Sequence, residues 1–217
     1  MIAIAHEMEN GPSVKPIAGT IVFIGDSLYE ENSVPRPEDK ITGAFSMLRF
    51  YTSWHYENIR TAYAVINAGV AGDNTAEMLA RFDADVIAHT PALVVIGGGV
   101  NDFNDLLSEA TYLVNKTEMF NRCAAIGAQM LVEKIGPWTD ADNATWDQID
   151  IWNADLAALV AQYPMATLVD PMPYCGQFRA GGPAGNLRDT KTEYYAGGPH
   201  MTMEGYWQKG RAIYDAL

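Results

Sequence analysis

Five short, mostly apolar runs, each followed by glycine, proline or aspartate, constrain the fold of this chain more than any other feature of its sequence. Runs with so little polar alternation are typical of strands buried on both faces, as in a parallel sheet. Helical spacing of apolar residues fills the intervals. This alternation predicts a three-layer α/β/α sandwich around a central, mostly parallel five-stranded sheet. The predicted strands are 20–24, 62–68, 92–96, 130–135 and 166–169, and the predicted helices are roughly 38–54, 74–89, 108–128, 145–162 and 202–217.

The length of 217 residues and the 48% hydrophobic content fit a single globular domain over residues 1–217, with 1–18 as an N-terminal arm. We find no internal repeat and no linker. The one long irregular stretch is 171–200, which is rich in glycine and proline. A loop of that length in a compact domain is usually functional or mobile.

The chain is strongly acidic, since 27 Asp and Glu against 14 Lys and Arg give a formal charge of −13. Nucleic acid is therefore not expected as a partner, because phosphate binding needs a basic surface. No apolar stretch reaches the ~18 residues of a membrane span, and the N-terminal residues lack the pattern of a signal peptide. We expect a cytoplasmic protein without membrane insertion, unless a longer precursor carries an export signal. No pattern specifies an oligomeric state.

Neither a metal nor another cofactor is expected. No cluster of His, Cys and Asp has the spacing of metal ligands. The three consecutive glycines from Gly97 to Gly99 are not followed by the Lys-Ser/Thr pair of a phosphate-binding loop. Cys123 falls in a helical pattern and is expected in the core, while Cys175 in the irregular stretch is expected to be a free thiol.

Polar residues follow the first three predicted strands. Ser27 comes directly after Gly25-Asp26, the segment 67–74 reads NAGVAGDN, and the segment 99–102 reads GVND. Because ligands of open α/β sheets bind outside the carboxyl ends of the strands, these residues are expected on one rim. Each segment alone also fits an ordinary strand-to-helix turn with a capped helix.

One histidine of the four fits a catalytic base. His200 lies in a Gly-Pro-rich loop just before the last predicted helix. His6 falls in the N-terminal arm, whereas His55 and His89 fall in or beside helical patterns. A serine and a histidine that act together, with donors for an oxyanion, are the parts that acyl transfer needs.

These segments, in this order, resemble the SGNH hydrolases, also called the GDSL esterases and lipases. The first family block is present as Gly25-Asp26-Ser27-Leu28, the second as 67–72 (Asn-x-Gly-x-x-Gly), and the third as 99–102 (Gly-x-Asn-Asp). The resemblance extends over residues 20–214. It implies the flavodoxin-like sandwich of that family.

The resemblance also implies roles for individual residues. Ser27 would be the nucleophile, and His200 would be its general base. The oxyanion hole would use the backbone N–H groups of Ser27 and Gly72 and the side-chain amide of Asn101. The neighbouring carboxylates are not expected to take part in catalysis. We expect Asp26 and Asp102 to anchor turns, and we expect Asp73 to belong to the start of the next helix.

The last block departs from the family pattern. The family usually has Asp three residues before the histidine, and this chain has Gly197 there. A backbone carbonyl near Gly197 would orient His200 in a Ser–His dyad. Glu193, or with less support Asp189, would be the alternative orienter, and a different alignment of the loop is a third explanation.

The expected reaction is hydrolysis of short-chain carboxylic esters, such as acetyl esters, through an acyl-serine intermediate. A carbohydrate O-deacetylase and a lysophospholipase or thioesterase are alternatives within the same family. A non-catalytic glycan-binding module is the alternative from another class, and the absence of the usual Asp at Gly197 is the feature that favours it.

Overall fold

The structure is a computed structural model that describes residues 19–30, 63–178 and 187–216. The predicted N-terminal arm 1–18 and the predicted helix 38–54 lie outside the described residues.

The centre of the molecule is a five-stranded sheet in which every pair of neighbouring strands is parallel. The strands are β1 (Gly19–Gly25), β2 (Tyr63–Gly69), β3 (Leu93–Ile96), β4 (Gln129–Glu133) and β5 (Ala166–Val169), and their order is β2-β1-β3-β4-β5. All four residues of β3 are buried, because helices cover both faces of the sheet. The predicted α/β/α sandwich is thereby confirmed.

Seven α-helices occur in the described part of the chain: α1 (Ser27–Glu30), α2 (Thr75–Asp85), α3 (Val100–Asn104), α4 (Glu109–Ala125), α5 (Asn143–Val160), α6 (Met172–Cys175) and α7 (Met203–Asp215). Helix α2 packs against α4, and α4 packs against α5. The predicted start of α2 is correct, because Asn74 caps the helix and forms a capping box with Glu77. A membrane span would need a long apolar helix, and none is found among the described helices.

The stretch 171–200 contains more structure than its composition indicated. Besides α6 it holds two small antiparallel pairs, β6 (Gly176–Phe178) with β7 (Leu187–Thr190) and β8 (Tyr195–Gly197) with β9 (His200–Met201). Strands of two to four residues are too short to show a hydrophobic period, so the sequence analysis missed them. Strand β7 is tied to α5 by the buried Arg188, whose Nη2 lies 2.7 Å from carboxylate oxygens of both Asp147 and Asp150.

The glycines at the ends of β1 and β3 make room for a tyrosine ring. A Cβ atom on Gly25 would lie 2.3 Å from Cδ2 of Tyr29, and one on Gly97 would lie 2.2 Å from its Cε2. Both distances are far below van der Waals contact, so the ring of Tyr29 packs directly on the backbone of the two strand ends. The Tyr29 hydroxyl donates to Oε2 of Glu133, at the end of β4, over 2.7 Å.

Glu133 also forms a buried ion pair with helix α7. Nζ of Lys209 lies 2.9 Å from Oε2 of Glu133, and the two side chains are only 2% and 3% exposed. The ammonium group of Lys209 also lies 5.0 Å from the centroid of the Tyr29 ring. Tyr29, Glu133 and Lys209 therefore connect the turn after β1, the end of β4 and the last helix.

Candidate active site

Ser27 is the first residue of α1, directly after the buried Asp26. The side-chain carboxylate of Asp26 accepts a hydrogen bond from the backbone N–H of Leu28 over 2.9 Å. The backbone carbonyl of Asp26 accepts the N–H groups of Tyr29 and Glu30. Burial raises the pKa of Asp26. These bonds fix the tight strand-to-helix turn that presents Ser27, as expected for an anchoring Asp26.

The second block forms a loop held against the first. The side chain of Asn67 donates to the carbonyl of Tyr29 over 2.8 Å and accepts the N–H of Gly69 over 3.0 Å. Residues 70–73 then form a turn closed by a bond from the Asp73 N–H to the Val70 carbonyl. Gly72 occupies the third position of this turn with φ +87°, which is the conformation that a type II turn requires.

Asn101 lies on α3, just beyond β3, and its Nδ2 donates to the carbonyl of Asp73 over 3.0 Å. Its neighbour Asp102 is buried and accepts both the N–H and the hydroxyl of Thr75, at the start of α2. Burial raises the pKa of Asp102. Asp102 therefore anchors the turn, as expected, while Asn101 faces the loop of the second block.

Because β1 lies between β2 and β3, the loops that carry Gly72 and Asn101 flank the turn that carries Ser27. The registers place Gly25 opposite Gly69 and Ile24 opposite Ile96. The three strands thus end at the same level, which brings the three blocks to one rim of the sheet, as the sequence predicted.

His200 reaches this rim from the C-terminal part of the chain. Its Nε2 lies 3.4 Å from Oγ of Ser27, although 173 positions separate the two residues. Its Nδ1 lies 3.4 Å from the hydroxyl of Tyr206, which is 1% exposed on helix α7. The two predicted catalytic side chains are therefore adjacent, and Tyr206 is a neighbour that the sequence analysis did not identify.

The hairpin that carries His200 depends on two glycines. Gly197 and Gly198 have φ values of +125° and +58°, and residues other than glycine rarely adopt this backbone region. The carboxylate of Asp140, in the loop before α5, accepts the N–H of Gly198 over 2.7 Å and the hydroxyl of Tyr195 over 2.9 Å. Asp140 therefore fixes the turn from the side, and sequence reasoning missed this contact because the residues are far apart.

The remaining candidates lie nearby in the chain. Glu193 is exposed in a short 3₁₀ turn over 192–194, and its carbonyl lies 3.4 Å from the hydroxyl of Thr202. Asp189 lies on β7.

The expectation that Asp73 belongs to the start of α2 needs correction. Its carboxylate binds Nε of Arg81 over 2.6 Å, whereas Asn74 caps the helix. Within the described residues, no group of three or more His, Cys, Asp or Glu could hold a metal ion.

A comparison with protein families identifies the family of this chain. The model of the GDSL-like lipase/acylhydrolase family matches residues 23–208. The chain belongs to this family. The match covers all the blocks that flank Ser27 as well as His200.

Individual relatives agree with the assignment. The chain is 39% identical to esterase TesA from Pseudomonas aeruginosa over 70 residues, which are 32% of this chain and 35% of that protein. The matched segment thus spans about a third of this curated relative. Two solved structures share the fold, namely a G-D-S-L family lipolytic protein from Desulfitobacterium hafniense and an acetylxylan esterase from Geobacillus stearothermophilus. The first is 18% identical with a TM-score of 0.70 and coverage of 92% and 99% of the two chains. The second is 16% identical with a TM-score of 0.68 and coverage of 91% and 93%.

Proposed function

We propose that this acylhydrolase is a serine esterase that cleaves short-chain carboxylic esters, with Ser27 as nucleophile and His200 as general base. The observation that carries the proposal is the 3.4 Å approach of Ser27 Oγ and His200 Nε2 at the carboxyl ends of the strands. Catalytic hydrogen bonds are often long without substrate and shorten when substrate binds. A serine activated by an adjacent imidazole is the standard nucleophile of acyl transfer.

The reaction would proceed in two steps. His200 Nε2 takes the proton of the Ser27 hydroxyl while Oγ attacks the ester carbonyl, and the imidazolium then protonates the leaving alcohol. Water, deprotonated by the same nitrogen, then attacks the acyl carbon; the bond from that carbon to Oγ breaks, Oγ takes the proton back from the imidazolium, and the acid leaves. No redox step or external co-reactant besides water is needed.

The oxyanion formed in each step would be held by three donors around Ser27. The amide of Asn101 uses one of its two N–H groups on the carbonyl of Asp73, and the second can serve the oxyanion. The backbone N–H groups of Ser27 and Gly72 supply the other donors. Losing one such donor typically costs ~2.7–4 kcal/mol of transition-state stabilisation.

We propose that His200 works in a Ser–His dyad whose Nδ1 is held by a neutral group. The hydroxyl of Tyr206 supports this proposal by its position 3.4 Å from Nδ1. A neutral partner stabilises the imidazolium less than a carboxylate does, because charge-assisted hydrogen bonds are roughly twice as strong. We therefore expect slower turnover than a full triad gives. The carbonyl near Gly197 and the carboxylate of Glu193 are the competing orienters.

Short acyl groups are proposed because large exposed apolar side chains are few and scattered in the described part of the chain. They are Val70, Leu106, Val114, Ile126, Ile151 and Tyr195. The name of the relative TesA, an esterase, supports ester substrates in general. A panel of p-nitrophenyl esters of increasing chain length, run beside acetylated sugars, lysophospholipid and an acyl thioester, would separate the alternatives.

The central test uses a fluorophosphonate probe, which reacts only with an activated serine. The wild type should be labelled and should hydrolyse p-nitrophenyl acetate, whereas Ser27→Ala should do neither. Ser108→Ala is the matched control, since Ser108 is the exposed N-cap of α4 and should leave labelling intact. A folded wild type that is neither labelled nor active would refute the esterase and favour a non-catalytic binding protein.

A second pair of variants tests the orienter. Tyr206→Phe removes only the hydroxyl and should lower kcat by about tenfold, which corresponds to one neutral hydrogen bond of ~1.4 kcal/mol. Glu193→Gln should leave kcat nearly unchanged. A loss of about a hundredfold in folded Glu193→Gln, equivalent to ~2.7 kcal/mol, would assign the role to Glu193.

A further inference from the structure

One guanidinium group binds backbone carbonyls at the two strand ends beside the turn that carries Ser27. Arg81, on helix α2, donates from Nε to the carboxylate of Asp73 over 2.6 Å and from Nη2 to the carbonyl of Gly25 over 3.0 Å. Its Nη1 donates to the carbonyl of Ala68 over 2.6 Å and to the carboxylate of Asp85 over 2.9 Å. The side chain is only 19% exposed. Four acceptors on one partly buried arginine fix its position closely.

Two of these acceptors lie at the carboxyl ends of neighbouring strands. Gly25 ends β1, immediately before Asp26 and Ser27, and Ala68 lies at the end of β2, before the loop with Gly72. Beyond these positions the parallel ladder stops, apart from a bond of the Gly25 carbonyl with the N–H of Val70. Arg81 therefore joins the two strand ends at the last pairs of the ladder, Ile24 with Ala68 and Gly25 with Gly69.

The third acceptor extends the connection to Asn101. Asp73 binds Arg81 through its carboxylate and binds Nδ2 of Asn101 through its carbonyl over 3.0 Å. The same residue thus connects the guanidinium with the side chain proposed to donate to the oxyanion. A chain of three residues, from Arg81 through Asp73 to Asn101, leads from the core side of the rim to the reacting atoms.

We propose that Arg81 is a positioning residue for the oxyanion hole, acting through Asp73 on Asn101 and through the strand ends on Gly72. This inference rests on the proposed esterase function. Oxyanion donors must be held within about 0.5 Å of their productive positions to be effective. A displaced donor lowers transition-state stabilisation while leaving ground-state binding of a small ester nearly unchanged. Arg81 should therefore affect kcat and not KM.

The test compares Arg81→Met and Arg81→Lys with Arg122→Met. Arg122, on α4, makes ion pairs with Glu118 and Asp83 and contacts neither strand end. It is therefore a matched arginine outside the proposed site. Arg81→Met should lower kcat for p-nitrophenyl acetate by about tenfold or more with KM unchanged, and Arg81→Lys should recover only part of the loss. Arg122→Met should keep wild-type kcat, and all variants are assayed well below their unfolding temperatures.

Two further readouts separate positioning from loss of structure. In the Asn101→Ala background, Arg81→Met should lower kcat by a smaller factor than in the wild type, because the pathway through Asn101 is already removed and only the one through Gly72 is left. In NMR spectra, the side-chain NH₂ signals of Asn101, assigned by their absence in Asn101→Ala, should move towards solvent-exposed values in Arg81→Met. Equal kcat in Arg81→Met and Arg122→Met, independent losses in the double variant, or unmoved NH₂ signals would each overturn the inference. Failure of the esterase proposal would show instead as an inactive, unlabelled wild type, and the NH₂ signals would still report on Arg81.

Discussion

Replacing Lys209 by methionine should destabilise this protein by about 3–5 kcal/mol, the usual cost of removing one partner of a buried ion pair. Lys209 and Glu133 are 2% and 3% exposed, so water cannot replace the lost partner. In the variant, Oε2 of Glu133 would still accept a hydrogen bond from the Tyr29 hydroxyl. Oε1 of Glu133 has no hydrogen-bond partner in the described structure. Methionine preserves the volume of the stem, so little of the effect would come from a cavity.

The size of the effect can be translated into a melting temperature. For a chain of 150–250 residues, 1 kcal/mol shifts Tm by roughly 2–4 °C. The expected decrease for Lys209→Met is therefore about 6–20 °C, measured by thermal unfolding followed by circular dichroism. Urea unfolding at fixed pH gives the free energy independently.

The double variant Lys209→Met/Glu133→Gln tests the physical cause. Glutamine removes the charge and still accepts the Tyr29 hydroxyl, so the double variant should regain most of the lost stability. Replacing a buried ion pair by neutral groups is often close to neutral, whereas a lone buried charge is costly. If the double variant is as unstable as the sum of its single variants, or if Lys209→Met costs less than about 1 kcal/mol, the reasoning is refuted.

Three more expectations concern the hairpin, the loop after β4 and the core. Gly197→Asp, which restores the family's usual residue, should lower the free energy of unfolding by roughly 1–3 kcal/mol, because φ is +125° at this position. Thermal unfolding and kinetics test this expectation, and a raised kcat at unchanged Tm would contradict it. Asn153→Ala should lower the free energy of unfolding, measured in urea, by roughly 2–6 kcal/mol, because the buried N–H and carbonyl of Ile135 both lose their hydrogen-bond partner. A decrease below about 1 kcal/mol would show that water takes the place of the Asn153 side chain. Burial lowers the pKa of Lys116 to about 8, so between this value and ~10.4 the unfolded chain holds a proton that the folded chain has released. The free energy of unfolding should therefore rise with pH in this window by up to about 1.4 kcal/mol per pH unit, and the rise should be absent from Lys116→Met.

The sheet and the position of the rim could be predicted from sequence because both follow from local patterns. Val22 and Val94, on neighbouring strands, are fully buried and fall within uninterrupted apolar runs. Once the strands are parallel, topology alone brings Ser27, Gly72 and Asn101 to the same edge. His200 followed from its place in the loop before the last helix.

The supporting contacts could not be predicted, because their signals are shared with ordinary packing. Tyr206 and Tyr112 are both buried aromatic residues at helical spacing, and only the first contacts His200. Arg81 resembles any charged residue of an amphipathic helix until the strand ends are placed beneath it. Arg188 lies in a strand of four residues, where a buried cation contradicts the simple alternation of apolar and polar positions.

The packing of Tyr29 on Gly25 and Gly97 also restricts how this sequence can diverge. Alanine at either glycine would overlap the ring, and a smaller residue in place of Tyr29 would leave a void and remove a donor from Glu133. Each single step is thus unfavourable, although a joint change of ring and glycine need not be. A library that randomises the three positions together should recover alanine at 25 or 97 only in company with a smaller side chain at 29. The three residues would then behave as one unit of variation, although Gly97 lies far from the other two in the chain.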